Sequence, residues 1–201
     1  MRRARFGLLI WVILGAGAGA LPALADSDVV LPVHTPFWIP REIALGSYLF
    51  GSVVSPTVEL KWEAALYQHR IDTLMFVLEG AGSYGTKFAA GETQYYDPPI
   101  NYLYQYSVAA ELGYRMDRPG GFSFSFHAGA GPLFYGARAR TLSTENLSAG
   151  TVVGRMSVGW RVGKVTTGVT GGFSAPFNTS VVSYSAVYLG GFFGGVYVNW
   201  R

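Results

Sequence analysis

The residues able to do chemistry are few, and each can be weighed. The chain holds three histidines, His34, His69 and His127, and no cysteine. Thiol nucleophiles, thiolate metal sites and a disulfide framework are therefore excluded. A hydrolytic or acyl-transfer centre needs a Ser or Asp within reach of a His. The nearest approach to one is His127 two positions from Ser125, and a structural His127 is the favoured reading. Glu92 and Asp97 lie five apart in a polar loop, where carboxylates are ordinarily solvated. No metal-ligand spacing is visible, so no catalytic residue, cofactor or metal site is assigned. GAGSYG at 80–85 matches GxGxxG, but TKFAAGETQYYDPP follows it rather than a helix. Without a βαβ unit it reads as a Gly-rich strand end. Asn146-Leu147-Ser148 and Asn178-Thr179-Ser180 match the glycosylation acceptor pattern and read as polar loop composition.

What remains is electrostatic. Glu59, Lys61, Glu63, Glu79, Glu111, Arg115, His127, Arg155 and Arg161 stand in otherwise apolar surroundings. Their chemistry depends on the elements that carry them. In TVELKWEAALYQ, residues 57–68, the set Val58, Leu60, Trp62, Ala64, Leu66 is apolar, while Glu59, Lys61 and Glu63 fall on the other set. Helical spacing would set Glu59 against Glu63 and scatter the apolar stripe. Period two accommodates every position, so the segment is a strand with one wet and one greasy face.

Eight such segments are predicted: about 43–54, 57–68, 72–84, 100–116, 121–136, 150–162, 164–175 and 181–200. In the fourth, Tyr102, Tyr104, Tyr106, Val108, Ala110, Leu112 and Tyr114 oppose Gln105, Ser107, Glu111, Gly113 and Arg115, with Leu103 the exception. In the fifth, Phe122, Phe124 and Phe126 oppose Ser123, Ser125 and His127. The first segment is the weakest, with apolar residues in both phases. Links after the second, fourth and sixth segments are short. Those at 85–99 and 137–149 are long and polar, as exposed loops should be. Aromatics are expected at the two interfaces: Tyr102, Tyr104, Phe134 and Tyr184 at one, Tyr114, Phe122, Trp160 and Trp200 at the other.

The N-terminus has the pattern of a secretory leader. MRRARFG is basic, LLIWVILGAGAGA apolar, and Ala23-Leu24-Ala25 a small-residue cleavage site, so residues 1–25 are expected to be removed. The remaining residues then read as 26–42, an N-terminal periplasmic segment, and 43–201, a barrel domain. Removing Arg2, Arg3 and Arg5 takes the 15 basic residues to 12, equal to the 12 acidic ones. The basic balance belongs to the leader and gives no warrant for nucleic acid. Charged residues are 13% of the chain, about half the ~25% of a soluble domain. Beyond the leader no run of ~18 apolar residues could cross a bilayer as a helix. An exported, apolar, charge-poor chain with alternating segments predicts an all-β fold: a transmembrane antiparallel up-and-down β-barrel of eight strands.

A lipocalin-like barrel would show the same alternation with the faces exchanged. Here the polar phase is rich in Gly, Ser and Thr, which fit a narrow interior, and the apolar phase carries the bulky aromatics. The charged set is therefore expected inside, as a compensated network of four acids and four strong bases.

Across its mature length the pattern resembles the small eight-stranded bacterial outer-membrane barrels, such as the transmembrane domain of OmpA, OmpX and OmpW. GGVYVNWR keeps Val196, Val198 and Trp200 in alternation but ends on Trp200-Arg201, where that group usually ends on Phe. The resemblance implies a location in the bacterial outer membrane, contact with outer-membrane lipid and lipopolysaccharide, handling by the barrel assembly machinery, and a monomer. A structural or interaction role presenting loops is the expected function. The alternative is a narrow pore or small-hydrophobe channel of the OmpW kind, and a lipid-modifying enzyme ranks below both.

Register expectations follow from the tight turns. Glu79 should face Lys61 or Glu63 across the turn at 69–71. Glu111 should face His127 directly, or diagonally after a two-residue shift.

Overall fold

The computed structural model describes residues 39–50, 53–86, 100–139, 142–180 and 183–200. Eight antiparallel strands run up and down in sequence order and close into a barrel, the first pairing with the last. They are β1 (Glu42–Phe50), β2 (Val53–His69), β3 (Asp72–Thr86), β4 (Ile100–Asp117), β5 (Phe122–Ala139), β6 (Glu145–Val162), β7 (Val165–Phe177) and β8 (Gly191–Trp200). Full closure removes the unpaired edges that an open sheet would present. Among the described residues no helix is long and apolar enough to cross a membrane.

The period-two pattern sets the two faces. Val58, Phe76, Leu112, Phe126, Met156, Val169 and Phe192 point outwards all round the barrel, Leu112 62% and Phe192 73% exposed. Glu59, Lys61, Glu79, Glu111, His127, Arg155, Ser157 and Thr170 are buried within. The turn end carries links at 70–71, 118–121 and 163–164. There Gly120, Gly121 and Gly163 take positive φ, with Arg70 the non-glycine in that region at 52°. The loop end carries the links at 51–52, 87–99, 140–144 and 178–190. Of the expected long loops, 87–99 lies outside the described residues, and with it Lys87, Glu92 and Asp97.

Several boundaries differ from expectation, each for a physical reason. The first link falls at 51–52, and Ser55-Pro56-Thr57 belongs to β2. Pro56 pairs with Ser47 of β1 but lies beyond Thr57, the last β2 residue with a β3 partner. A missing N–H is tolerated at such an edge. Residues 145–149 pair with 133–137 and lengthen β6, so the loop expected at 137–149 is mostly strand, the Asn146 acceptor site included. GAGSYG lies within β3 as a strand segment.

The last expected strand, 181–200, begins only at Gly191. Ala186–Tyr188 form a 3-10 turn, and positive φ at Gly190 and Gly191 redirects the chain. The segment turns into the mouth of the barrel. Leu189, 0% exposed, packs there with Leu103, Leu133, Tyr135 and Ala137. Leu103, the apolar exception on a polar face, is thereby explained. Tyr184 stands over this end, its hydroxyl donating to the carbonyls of Ala137 and Ser143 at 3.0 Å each, rather than on the outer face of a strand.

Candidate functional site: the charged lumen

The lumen is stratified. Around Leu189 it is apolar. Below that lies a small pocket lined in part by Tyr48, Ser83, Gln105, Ser107 and Ser174. Charged side chains fill the rest towards the turn end.

Arg155 of β6 is the central group. Its Nη2 donates to Glu59 Oε1 at 2.7 Å and to Glu79 Oε1 at 3.2 Å, and its Nε to Glu59 Oε1 at 3.0 Å. Nη1 donates to the Phe173 carbonyl at 2.8 Å, and Nη2 also reaches the Tyr48 hydroxyl. The guanidinium lies over Tyr48 and Phe193, 5.6 and 5.1 Å from their ring centroids, where ring quadrupoles favour a cation. Because β6 faces β1 to β3 across the bore, these bonds span it. A planar five-donor fork suits this position better than a lysine would.

Lys61 of β2 lies opposite Glu79 in register, yet its Nζ donates to Glu42 Oε1 at 2.6 Å and lies 3.8 Å from Glu59 Oε2. Arg115 Nη2 pairs with Glu63 Oε2. Asn199 Nδ2 donates to Glu63 Oε1 at 2.9 Å and Glu42 Oε2 at 3.3 Å. The β4–β5 hairpin takes the shifted register, with Gly113 facing His127, Glu111 facing Gly129, and Arg115 facing Ser125. Glu111 and His127 are then diagonal neighbours, and His127 Nδ1 meets Glu111 Oε2.

Glycines shape this corner. A Cβ at Gly113 would lie 2.8 Å from His127 Cβ, and one at Gly129 would lie 2.7 Å from Glu111 Cγ and collide with the Ala110 carbonyl. Ligating atoms of Glu79, Glu111 and His127 all lie within 4.8 Å of one another.

Of the nine residues expected to form the internal network, the structure brings eight together: Glu59, Lys61, Glu63, Glu79, Glu111, Arg115, His127 and Arg155. Arg161 does not join. It lies one residue from the end of β6 and is exposed at the turn-end rim, where water solvates it more cheaply than the dry bore could. Glu42 takes part instead. Expected to lie in a segment before the barrel, it opens β1 and is 4% exposed. Tyr48 and Asn199 were also missed, because β1 shows no clear phase and Asn199 is a lone amide in an apolar strand. His69 ends β2 exposed, its ring stacked on Tyr67. His34 lies outside the described residues.

The substitution of Glu42 for Arg161 changes the charge balance. Among the described residues Glu42, Glu59, Glu63, Glu79 and Glu111 confront Lys61, Arg115 and Arg155, leaving acids in excess by two. Glu59 Oε2, Glu79 Oε2 and Glu111 Oε1 are buried and accept no hydrogen bond within the described residues.

At the loop end Glu145 holds the inward-turned link. It accepts from Ser183 Oγ at 3.0 Å, from the backbone N–H of Tyr184 at 3.1 Å, and from Ser185 Oγ at 2.6 Å and its N–H at 3.3 Å. Gly190 N–H donates to Gln105 at 3.2 Å.

Comparison with known proteins finds no matching family model, no matching curated protein and no matching solved structure.

Proposed function

We propose that this chain is a bacterial outer-membrane β-barrel of structural or interaction type, inserted as a monomer with its loop end outwards. The observation that carries this reading is the polarity of the wall. Aliphatic and aromatic side chains cover the outside of every strand, whereas paired carboxylates and guanidinia fill the inside. Water would reverse that arrangement, and hydrocarbon favours it. Tyr84, Tyr102, Tyr104 and Tyr106 gather towards the loop end, and Phe122 packs edge-on to Trp160 at the turn end. Both groups are placed to serve as interfacial girdles.

The bore supports a plugged barrel over an open one. The Leu189 cluster stops it at the loop end and Arg155, bonded to opposite walls, crosses it lower down. His127 points into this interior against Glu111, away from the lipid-facing rim where a lipid-modifying centre would stand. A second reading, a narrow conduit, has in its favour the polar pocket between those two barriers; it requires both to move.

Heat-modifiable gel migration of the protein from purified outer membranes tests the main reading. The expected result is a fast-running unboiled form confined to that fraction. Recovery in the soluble fraction with no migration shift overturns it. In planar bilayers the expected result is no steady conductance, and stable unitary currents would favour the conduit.

A further inference from the structure

We infer that Glu79, Glu111 and His127 form a binding site for one divalent first-row transition ion, Zn²⁺ being the best match. The inference goes beyond the membrane reading and does not depend on it.

Three observations converge. The first is proximity. A carboxylate oxygen from β3, another from β4 and an imidazole nitrogen from β5 lie within 4.8 Å of one another, all three side chains buried. That spread allows a common ion to be reached by small side-chain movements, and three protein ligands with one position left for water is a common zinc arrangement. The second is that Glu79 Oε2 and Glu111 Oε1 are buried acceptors without donors among the described residues. Such atoms are costly in a dry interior, and a cation satisfies several at once.

The third is the charge balance of the whole bore. Among the described residues five carboxylates face three strong bases, so a single divalent ion brings their sum to neutrality. The bases are already committed. Lys61 holds Glu42 at 2.6 Å, Arg155 holds Glu59 at 2.7 Å, and Arg115 holds Glu63. Glu79 has only the longer 3.2 Å contact with Arg155, and Glu111 has His127. The two carboxylates left over are the two that stand beside the imidazole.

The local backbone is also arranged for it. Gly113 and Gly129 face His127 and Glu111 across the β4–β5 pair, and a Cβ at either would press on those side chains. The donor set selects the ion class. Imidazole suits zinc, iron, nickel and copper, and the carboxylates accept any of them. Calcium wants six to eight oxygens and magnesium a near-ideal octahedron, which this corner does not offer.

The experiment uses the full mature chain, stripped with chelator, exposed to ZnCl₂ alone and desalted, with metal counted per chain. One equivalent is expected in the wild type and in H69A, and none in E79Q/E111Q. The double variant removes both surplus charges, so it should still fold and show a fast-running unboiled band. Zinc K-edge absorption of the loaded wild type needs no variant and should show a single imidazole among oxygen neighbours. A wild type that retains no zinc overturns the inference, leaving protons to neutralise the surplus. Undiminished zinc in folded E79Q/E111Q, or a spectrum with two or more imidazoles, overturns it as well. None of these results bears on whether the barrel lies in a membrane.

Discussion

Lys61→Met and Lys61→Met/Glu42→Gln, compared side by side, test whether the lumen is held by pairing or only filled. Lys61 Nζ is 2.6 Å from Glu42 and 3.8 Å from Glu59, with side chains almost wholly buried. At an effective dielectric near ~20 these contacts carry gross attractions of about 6 and about 4 kcal/mol. Desolvating three charges consumes much of that, so the pair's net contribution is small. The single substitution nevertheless strands the Glu42 carboxylate without its cation, while Glu59 keeps only Arg155. Breaking a buried pair on one side costs about 3–5 kcal/mol. The double variant removes one acid with the base and keeps the volume, so it should recover most of the loss. With a urea slope of about 2 kcal/mol per molar, Lys61→Met should lower the unfolding midpoint by about 2 M. The double variant should lie within about 0.5 M of wild type on the same slope. Tryptophan fluorescence in lipid vesicles, checked by unboiled gel migration, reads both. A double variant as weak as the single, or weaker, would refute the reasoning, because Glu42 would then be doing something other than matching Lys61.

Other outcomes follow from the same geometry. Met156→Arg places a charge on the outer face of β6, where Met156 is half exposed; in vesicles it should cost about 2–4 kcal/mol, whereas a barrel in water would change by no more than about 0.5 kcal/mol. Glu145→Ala removes the acceptor of four hydrogen bonds that hold residues 183–185, so chymotrypsin should cut at Tyr184 or Tyr188 several-fold faster, and unchanged cleavage would mean the Leu189 cluster suffices alone. Gly129→Val would drive its side chain into the Ala110 carbonyl and Glu111, and should yield no heat-modifiable form. Protease added to whole cells should reach the loop end near Arg138, exposed on β5; cutting only after the outer membrane is broken would mean the barrel is inserted the other way up.

The faces of the barrel were legible because burial repeats every second residue, and Glu59, Lys61 and Glu63 on one phase of β2 announced an internal charge row. The β2–β3 and β4–β5 registers were legible to within two residues. The tight turns at 70–71 and 118–121 left Glu79 facing Lys61 or Glu63, and Glu111 facing His127 directly or diagonally; the structure takes the Lys61 register and the diagonal. Other features depend on three-dimensional position. Nothing in the sequence separates Arg161 from Arg155 on their shared phase; only distance from the rim does, and water at the rim releases Arg161. Glu42 was hidden by the poor phasing of β1. Leu189 lies in Val-Tyr-Leu-Gly-Gly, which passes for strand until the two glycines take positive φ and fold it into the mouth. The surplus of two carboxylates could not be read without knowing both exchanges.

The bonding of Arg155 bears on the order in which the barrel assembles. Neighbouring strands meet across short stretches of chain, but the β1–β8 seam joins Glu42 to Asn199, 157 residues apart. Lys61 and Glu79, by contrast, meet across one hairpin. Going from the hairpin to the seam is about three doublings of loop length, an added closure cost near ~2 kcal/mol. The seam should therefore be the last junction to zip, as non-local pairings are slow. Tyr48 and Phe193 face each other across it, their centroids 5.4 Å apart. The guanidinium that covers both rings is rooted in β6, on a part of the sheet assembled from local hairpins. Arg155 thus offers the incoming edges a prepared aromatic-binding cation, and ties the slowest junction of the folding reaction to one of its early products.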